Sequence, residues 1–400
     1  MVYILQEAPL LIRFGINYFL FFSSIAIVAP YLQVILRNKG FTAAAIGIFL
    51  GFYEVAGILG PLFYGWIAEK IGRYRLLMLG LSVSVGGILF LLGLSSSLIC
   101  AGAFLALFGF FYRPIPSLQD ALASRMIPDP AVNYGRVRIW GSIGFVVVSI
   151  GVQLSGFLDI PGTFKIILLF SIISGLLFLS TLSLPETEKA EHQESKTGKR
   201  ETDSLFYGLH LPFYAVLISA FFIKMGLTGY YSFFSLFLLD SYGIHSVSGI
   251  WAIGALAEIP MILYGSKLVT RFGSAAALML ALAGAAARMF VYASGAPLLI
   301  ILSAQILHAF SFGLIHITVV SVINHTVPAE RKAFAMSLYG GIGFGLAGFI
   351  GSSLNGMILD SRGFSVMFLF SGLVTLIPLA VVIPFRRKIA DSSFNSKKAQ

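Results

Sequence analysis

The chain has 400 residues, of which 58% are hydrophobic and 11% charged, against roughly 25% charged in soluble globular domains. That composition excludes an ordinary soluble fold and predicts a membrane protein, while the lone Cys100 excludes an intramolecular disulfide or a cysteine metal cluster. A formal charge of +10 would suit nucleic acid, but its placement along the chain assigns it otherwise.

A helix needs about 20 apolar residues to cross ~30 Å of hydrocarbon. Twelve such runs follow one another, at 12–36, 43–67, 75–95, 98–124, 136–158, 163–184, 211–239, 246–269, 275–294, 297–324, 333–357 and 364–385. The first is too long for the apolar core of a signal peptide and no small-residue cleavage site follows it, so it reads as a retained span. In the fourth run, "FFYRPIPSLQD" places Pro114 and Pro116 just after Arg113. Prolines free backbone carbonyls, which is tolerable where a cavity rather than lipid lies alongside. After the sixth run, "PETEKAEHQESKTGKRETDS", Pro185 to Ser204, has mixed charge and no bulky apolar residues, the composition of a solvated linker. The expected organisation is an N-terminal six-helix bundle over 1–184, a cytoplasmic linker over 185–210, a C-terminal six-helix bundle over 211–390 and a cytoplasmic tail over 391–400.

Of the 27 Lys and Arg residues, four fall inside spans and four on one set of loops, Arg37, Lys39, Lys165 and Arg362. The remaining nineteen, from Arg13 to Lys398, fall on the other set. Basic residues collect on the cytoplasmic side, so both termini are expected there. The excess charge then records topology and anionic lipid, with no nucleic-acid partner.

The halves echo each other. "YGWIAEKIGRYRLLMLGL" from Tyr64 aligns with "YGSKLVTRFGSAAALMLAL" from Tyr264. The expected fold is therefore all-α, twelve transmembrane helices in two pseudo-symmetric six-helix bundles. Parallel repeats about an axis along the membrane normal, with a midplane substrate site, belong to one large class of transporters. "LYGGIGFGLAGFIGSS", Leu338 to Ser353, has small residues at spacings of three and four, which reads as close helix packing. It is not read as a phosphate loop, because it neither follows a strand nor opens a nucleotide-binding unit.

Each ionisable residue within a span is costly in lipid and is a functional candidate. They are Glu54, Arg113, Asp120, Arg138, Lys224, Glu258 and Arg288, with His308 and His316. Four cations face three acids, and an anionic substrate would balance the extra charge. Asp120 and Arg138 lie on either side of a tight loop marked by "PDP", so antiparallel packing brings them to similar depth. Arg138 is expected to be tolerated because Asp120 meets it, either as a substrate site or as a structural ion pair, while Arg136 snorkels to lipid headgroups. Phe145 stands two turns beyond Arg138, and Arg113 two turns before Asp120.

"GWIAEKIGRYR", Gly65 to Arg75, resembles the loop signature that follows the second span of the major facilitator superfamily, and its second-half copy lacks the acid. Gly65 would permit close helix approach. Glu69, Lys70 and Arg73, around Gly72, would make contacts that close one side of the cavity, or serve only as a positive-inside anchor. "NYGRVRIWGSIGF", Asn133 to Phe145, resembles the start of the fifth span of the lactose/proton symporter and, more closely, of the phenylpropionate permease group. "PSLQDALA", "GIWAIGALAEIP" and "QILHAFSFGLIH" extend that resemblance through nearly all of the chain.

The resemblance implies that Asp120 and Arg138 hold substrate, with Phe145 where the symporter stacks an aromatic ring on its sugar. It implies that Arg288, His308 and, allowing a one-turn shift, Glu258 belong to the proton machinery. The carboxylate that the symporter places three residues after its histidine is Ser311 here. That leaves Glu258, Asp120 and Glu54 as proton carriers, since apolar surroundings favour a neutral carboxyl and an approaching arginine favours a charged one. His308 would otherwise be a neutral hydrogen-bonding wall residue, and His316 is a weaker candidate. Arg113 and Lys224 make the cavity more basic than a sugar requires, which favours a carboxylate substrate; otherwise they pair Glu54 or Glu258. Tyr230 and Tyr231 would add phenol hydroxyls, or belong to an interfacial belt.

No phosphate-binding lysine-serine motif, catalytic Ser/His/Asp arrangement or metal-ligand spacing stands out, so neither an ATP-driven pump nor an enzyme is expected, and no cofactor. The fifth span lacks the glycine-proline pattern of drug/proton antiporters. The expected function is a proton-coupled symporter of the plasma (bacterial inner) membrane, a monomer importing a small organic solute by alternating access. An aromatic carboxylate such as a phenylpropionate-like acid is favoured. The alternatives are symport of a sugar, oligosaccharide or nucleoside, drug/proton antiport, and a non-transporting membrane sensor.

Overall fold

The computed structural model describes residues 2–159, 162–186, 208–328 and 331–391. Its long helices are α1 (Val2–Asn38), α2 (Ala43–Ile71), α3 (Tyr74–Leu94), the pair α4 (Leu98–Tyr112) and α5 (Pro114–Met126), α6 (Pro130–Ser155), α7 (Thr163–Leu182), α8 (Leu211–Tyr242), α9 (Ser248–Phe272) and α10 (Ser274–Ala293). Short α11 (Leu298–Ser303) continues through a 3₁₀ turn, Ala304–Leu307, and a π-helical stretch, Ala309–Leu314, into α12 (Ile315–Thr326). Then α13 (Lys332–Leu338) passes through a second π-helical stretch, Tyr339–Leu346, into α14 (Ala347–Leu376).

The punctuation is local chemistry. Thr42 caps α2 by accepting the Ala45 N–H, and Gly72, at φ 73°, ends it in the left-handed conformation with its N–H on the Ala68 carbonyl. Pro114 and Pro130 open α5 and α6, where a missing N–H costs nothing. The junction between α4 and α5 falls at Arg113, just before the prolines and within one 29-residue span, Leu98–Met126. Pro260 lies inside α9, and that helix bends by 53° between Ser248–Met261 and Leu263–Phe272.

Among the described residues ten helices are long and apolar enough to cross a membrane, eleven with the bent pair. One of them, Lys332–Val382, runs for 51 residues, roughly 75 Å of helix and more than twice the hydrocarbon thickness. Gly363, at φ 79° and ψ 177°, interrupts it.

The chain forms two compact units, Met1–Gln193 with Ser235–Ala252, and Glu194–Phe234 with Ile253–Gln400. In the first, α1 packs along α6 and α7, α2 along α4 and α5, and α3 along α4 and α7. Helix α6 approaches α1 so closely that a Cβ at Gly144 would strike the Phe19 carbonyl. The Ser235–Ala252 segment joins this unit through the start of α9: Tyr31 Oη accepts from the Val247 N–H at 3.2 Å and Gln153 Oε1 accepts from the Gly249 N–H at 3.2 Å. In the second unit α10 packs along α14, and Asn355 of α14 bridges Thr228 of α8 and Ser371 at 2.9 and 2.8 Å. Gly351 abuts the Met225 carbonyl, so part of the small-residue run packs closely, while Tyr339–Leu346 widens into the π-helical turn.

Most of the expected linker, 187–207, and of the expected tail, 392–400, lies outside the described residues. Of the linker's start, Glu186 accepts from the Arg75 and Leu76 N–H groups at 3.1 and 3.2 Å and lies 3.6 Å from the Arg75 side chain. A residue expected in a solvated linker thus caps the open N-terminus of α3.

Candidate functional site

In the second unit Arg288, His308 and Glu258 form one connected chain. Arg288 of α10 is fully buried, a position no guanidinium holds without acceptors. Its Nε donates to Tyr292 Oη at 2.8 Å, its Nη2 to Gln305 Oε1 at 2.5 Å, and its Nη1 lies 2.7 Å from His308 Nδ1. The Tyr230 ring of α8 lies under the guanidinium, 3.8 Å from centroid to Cζ. On the far side of the imidazole, His308 Nε2 lies 2.7 Å from Glu258 Oε1 of α9.

Local spacing builds this cluster. Tyr292 follows Arg288 by four residues on one helical face, and Gln305 precedes His308 by three across the tight 3₁₀ turn, where i and i+3 eclipse. Protonation follows from donor counting. Arginine has only donors, so His308 Nδ1 must be an acceptor and the ring proton must sit on Nε2. Glu258 Oε1 then receives it. Ser311, where the resemblance led one to look for a carboxylate, donates to the His308 carbonyl at 3.0 Å.

Tyr231 and Phe344 cover Lys224, with ring centroids 5.1 and 5.6 Å from its Nζ, and Lys224 itself is buried. His316 Nδ1 lies 3.1 Å from Tyr339 Oη, beside Phe344. Tyr230 and Tyr231 meet these cations with their ring faces.

In the first unit Asp120 and Arg138 do not meet. Tyr18 of α1 donates to Asp120 Oδ1 at 2.6 Å, with Tyr134 close to the same carboxylate. Arg138 lies over Phe22 at 4.1 Å and Tyr18 at 5.7 Å, and it makes no ion pair or side-chain hydrogen bond among the described residues. The expected Asp120–Arg138 contact is therefore corrected. Helix α1 packs against both α5 and α6, and its Tyr18 takes the acid with its hydroxyl while Phe22, one turn on, lies against the base. Phe145 is half-buried on α6, and the rings over Arg138 are Phe22 and Tyr18 instead.

Glu54 and Arg113 pair at 3.2 Å, and Tyr53 lies 4.7 Å from the guanidinium. At the signature loop, Glu69, Lys70 and Arg73 are exposed and make no ion pair with one another among the described residues; Lys70 lies over Trp66 at 5.0 Å. A Cβ at Gly65 would meet open space, so the close approach expected there does not occur, and close packing falls at Gly60 and Gly109 instead.

Sequence reasoning missed Tyr18, Phe22, Tyr292 and Gln305. Each stood at a readable spacing: Phe22 four after Tyr18, Tyr292 four after Arg288, Gln305 three before His308.

Comparison with known proteins agrees with this architecture. The model of the MFS_1 like family matches residues 11–370. The maltose permease of Geobacillus stearothermophilus is 24% identical over 374 residues, 92% of this chain and 93% of that protein. The probable 3-phenylpropionic acid transporter of Escherichia coli (strain K12) is 27% identical over 319 residues, 77% and 81% of the two chains. Among solved structures, a mutant of the nucleoside transporter NupG superposes with a TM-score of 0.82 at 18% identity, covering 94% of this chain and 99% of that one. With a fold of long apolar helices and a family match across nine-tenths of its length, the chain belongs to the MFS_1-like family of major facilitator transporters.

Proposed function

We propose that this transporter is a proton-coupled symporter that imports a small organic solute by alternating access, with an aromatic carboxylate as the favoured substrate. The observation that carries the coupling is the Glu258–His308–Arg288 chain, with contacts of 2.7 and 2.7 Å. Its one carboxylate faces a neutral imidazole while a permanent cation sits beyond. The proton adds to a Glu258 oxygen on the side of entry and leaves it on the side of release.

The carboxylate preference rests on Arg138, a guanidinium held over Phe22 with its donors unspent among the described residues. A planar fork of donors binds a carboxylate bidentately, and the neighbouring rings of Phe22 and Tyr18 suit an aromatic solute. In this reading Asp120, held by Tyr18, leaves Arg138 unneutralised for the substrate. Arg113 and Phe145 serve substrate binding in the first unit and Lys224 and Tyr231 in the second, and Glu54 balances Arg113. The signature loop with Gly65, Glu69, Lys70, Gly72 and Arg73 works as the inner gate. A plasma-membrane location, cytoplasmic termini and a monomeric state complete the reading, with solute, proton and lipid as the partners.

A second reading, symport of a sugar or nucleoside, draws on the names of the similar permeases. Uptake into proteoliposomes under an inward proton gradient, offered 3-phenylpropionate, maltose or a nucleoside in turn, separates the readings. Gradient-driven 3-phenylpropionate uptake that Arg138→Gln abolishes supports the carboxylate. Uptake of maltose or nucleoside alone moves the assignment to the second reading.

A further inference from the structure

We propose that Gln305 and Tyr292 are positioning residues that, by clamping Arg288 against His308 Nδ1, deny the imidazole a second proton and leave Glu258 as the proton carrier of this cluster. The inference rests on the proton-symport reading and supplies what that reading lacks, a reason why the acid and not the histidine takes the proton.

A guanidinium is planar and rigid. Three acceptors on three of its nitrogens, Tyr292 Oη, Gln305 Oε1 and His308 Nδ1, fix its plane, and the Tyr230 ring closes one face. Only two of these acceptors, Tyr292 and Gln305, are free of a part in proton transfer. They hold the group that holds the histidine.

Gln305 bears the mark of this duty. Because Nη2 can only donate, the amide must present Oε1 to it, which turns Nε2 away. That Nε2 is buried with no hydrogen-bond partner among the described residues, a costly state for an amide. The side chain keeps the orientation that serves Arg288 at the expense of its own second group. Helix α9 passes close by at Gly254, where a Cβ would lie 3.2 Å from the imidazole and 3.4 Å from Gln305 Oε1.

The groups that face His308 are Glu258 from α9, Arg288 from α10, itself held by Tyr292, and Tyr230 and Tyr231 from α8, whose ring centroids lie 5.6 and 6.1 Å from the imidazole. Ser311 completes the set from its own strand of helix, 3.3 Å from Nδ1. A proton on Nδ1 would set two donors, that N–H and the Arg288 N–H, against each other at 2.7 Å. A proton on Glu258 Oε2 disturbs nothing, since Oε1 can still accept from Nε2–H.

The test is nitrogen NMR on the full-length protein in nanodiscs, with ¹⁵N-labelled histidine and no substrate, titrated across roughly pH 5 to 8, the range in which an ordinary histidine changes charge. The His308 signal among the six histidines is assigned by its loss in His308→Asn. In the wild type, His308 is expected to stay in the neutral Nε2–H form throughout. In Gln305→Leu it is expected to become protonated within the window, and Gln305→Glu, which retains an acceptor for Nη2, is expected to restore the wild-type spectrum. A wild-type His308 that titrates, or a folded Gln305→Leu indistinguishable from wild type, overturns the proposal. If Gln305→Leu does not fold, Tyr292→Phe, which removes one oxygen, carries the same two outcomes. The readout needs no transport, so failure of the clamp and failure of proton symport are told apart.

Discussion

Tyr18 holds Asp120. Its hydroxyl donates to the carboxylate at 2.6 Å while its ring stands 5.7 Å from Arg138, so one neutral phenol neighbours both acid and base, which form no ion pair among the described residues. The arrangement leaves the guanidinium available to a ligand.

Removing that hydroxyl should let the pair collapse. Tyr18→Phe deprives Asp120 of a charge-assisted hydrogen bond, leaving Tyr134 beside the carboxylate and Arg138 as the cation drawn towards it. A substrate carboxylate would then compete with Asp120 for the fork, and KM for uptake should rise about tenfold, the factor that follows from roughly 1.4 kcal/mol. The measurement is initial-rate uptake against substrate concentration; an unchanged KM would count against Arg138 as the anchor.

Arg288→Met should be severely destabilising. It leaves three buried acceptors and the Glu258 carboxylate without their cation, a loss of about 3 kcal/mol or more. Arg288→Lys should recover little of it, because an ammonium cannot address Tyr292, Gln305 and His308 in one plane. Thermal unfolding of the purified protein, followed by loss of the monodisperse peak on gel filtration, reads both. A well-folded Arg288→Met would mean that the network contributes little to stability.

The glycines supply a contrasting pair. At Gly144 an added Cβ meets the Phe19 carbonyl of the neighbouring helix backbone, so Gly144→Ala should cost about 1–3 kcal/mol through overpacking. At Gly65 the added methyl meets open space, and Gly65→Ala should be neutral or stabilise α2 by up to ~1 kcal/mol, the helix preference of alanine over glycine. The same thermal assay orders the two; equal behaviour would contradict the packing described.

Glu54 and Arg113 should behave as mutual partners. The pair is 3.2 Å apart, with side chains 15% and 39% exposed, so solvent screens part of the interaction and a coupling of about 1 kcal/mol or less is expected. In a double-mutant cycle with Glu54→Gln and Arg113→Gln, the double variant should lose less than the two singles together. Strict additivity would deny the partnership.

The spans were legible because a bilayer leaves few options: every backbone group must be satisfied within the helix, and apolar runs announce themselves. The break at Gly363 was legible as well, between runs placed at 333–357 and 364–385. The intramembrane charges were legible for the same reason, since lipid makes each one expensive. Their partners were harder to read. Sequence separation across a hairpin gives two residues a common depth but says nothing of how each helix is rotated, and Tyr18 from a third helix took the place beside Asp120 that Arg138 was expected to fill. Gly65 was read as a contact because the motif contains it, although whether a glycine is approached depends on which face meets a neighbour. The Arg288–His308–Glu258 grouping came from resemblance; its geometry came from a 3₁₀ turn and a π-helical stretch at residues 304–314, which no apolar periodicity announces.

The most direct test of proton coupling through Glu258 compares two modes of transport in one variant. Glu258→Gln mimics a permanently protonated carrier, so in proteoliposomes it should still exchange labelled for unlabelled substrate across the membrane, since exchange needs no net proton movement. It should fail to accumulate substrate when the outside is made acidic, a condition under which the wild type accumulates. A Glu258→Gln protein that concentrates substrate under that gradient as the wild type does would contradict the account.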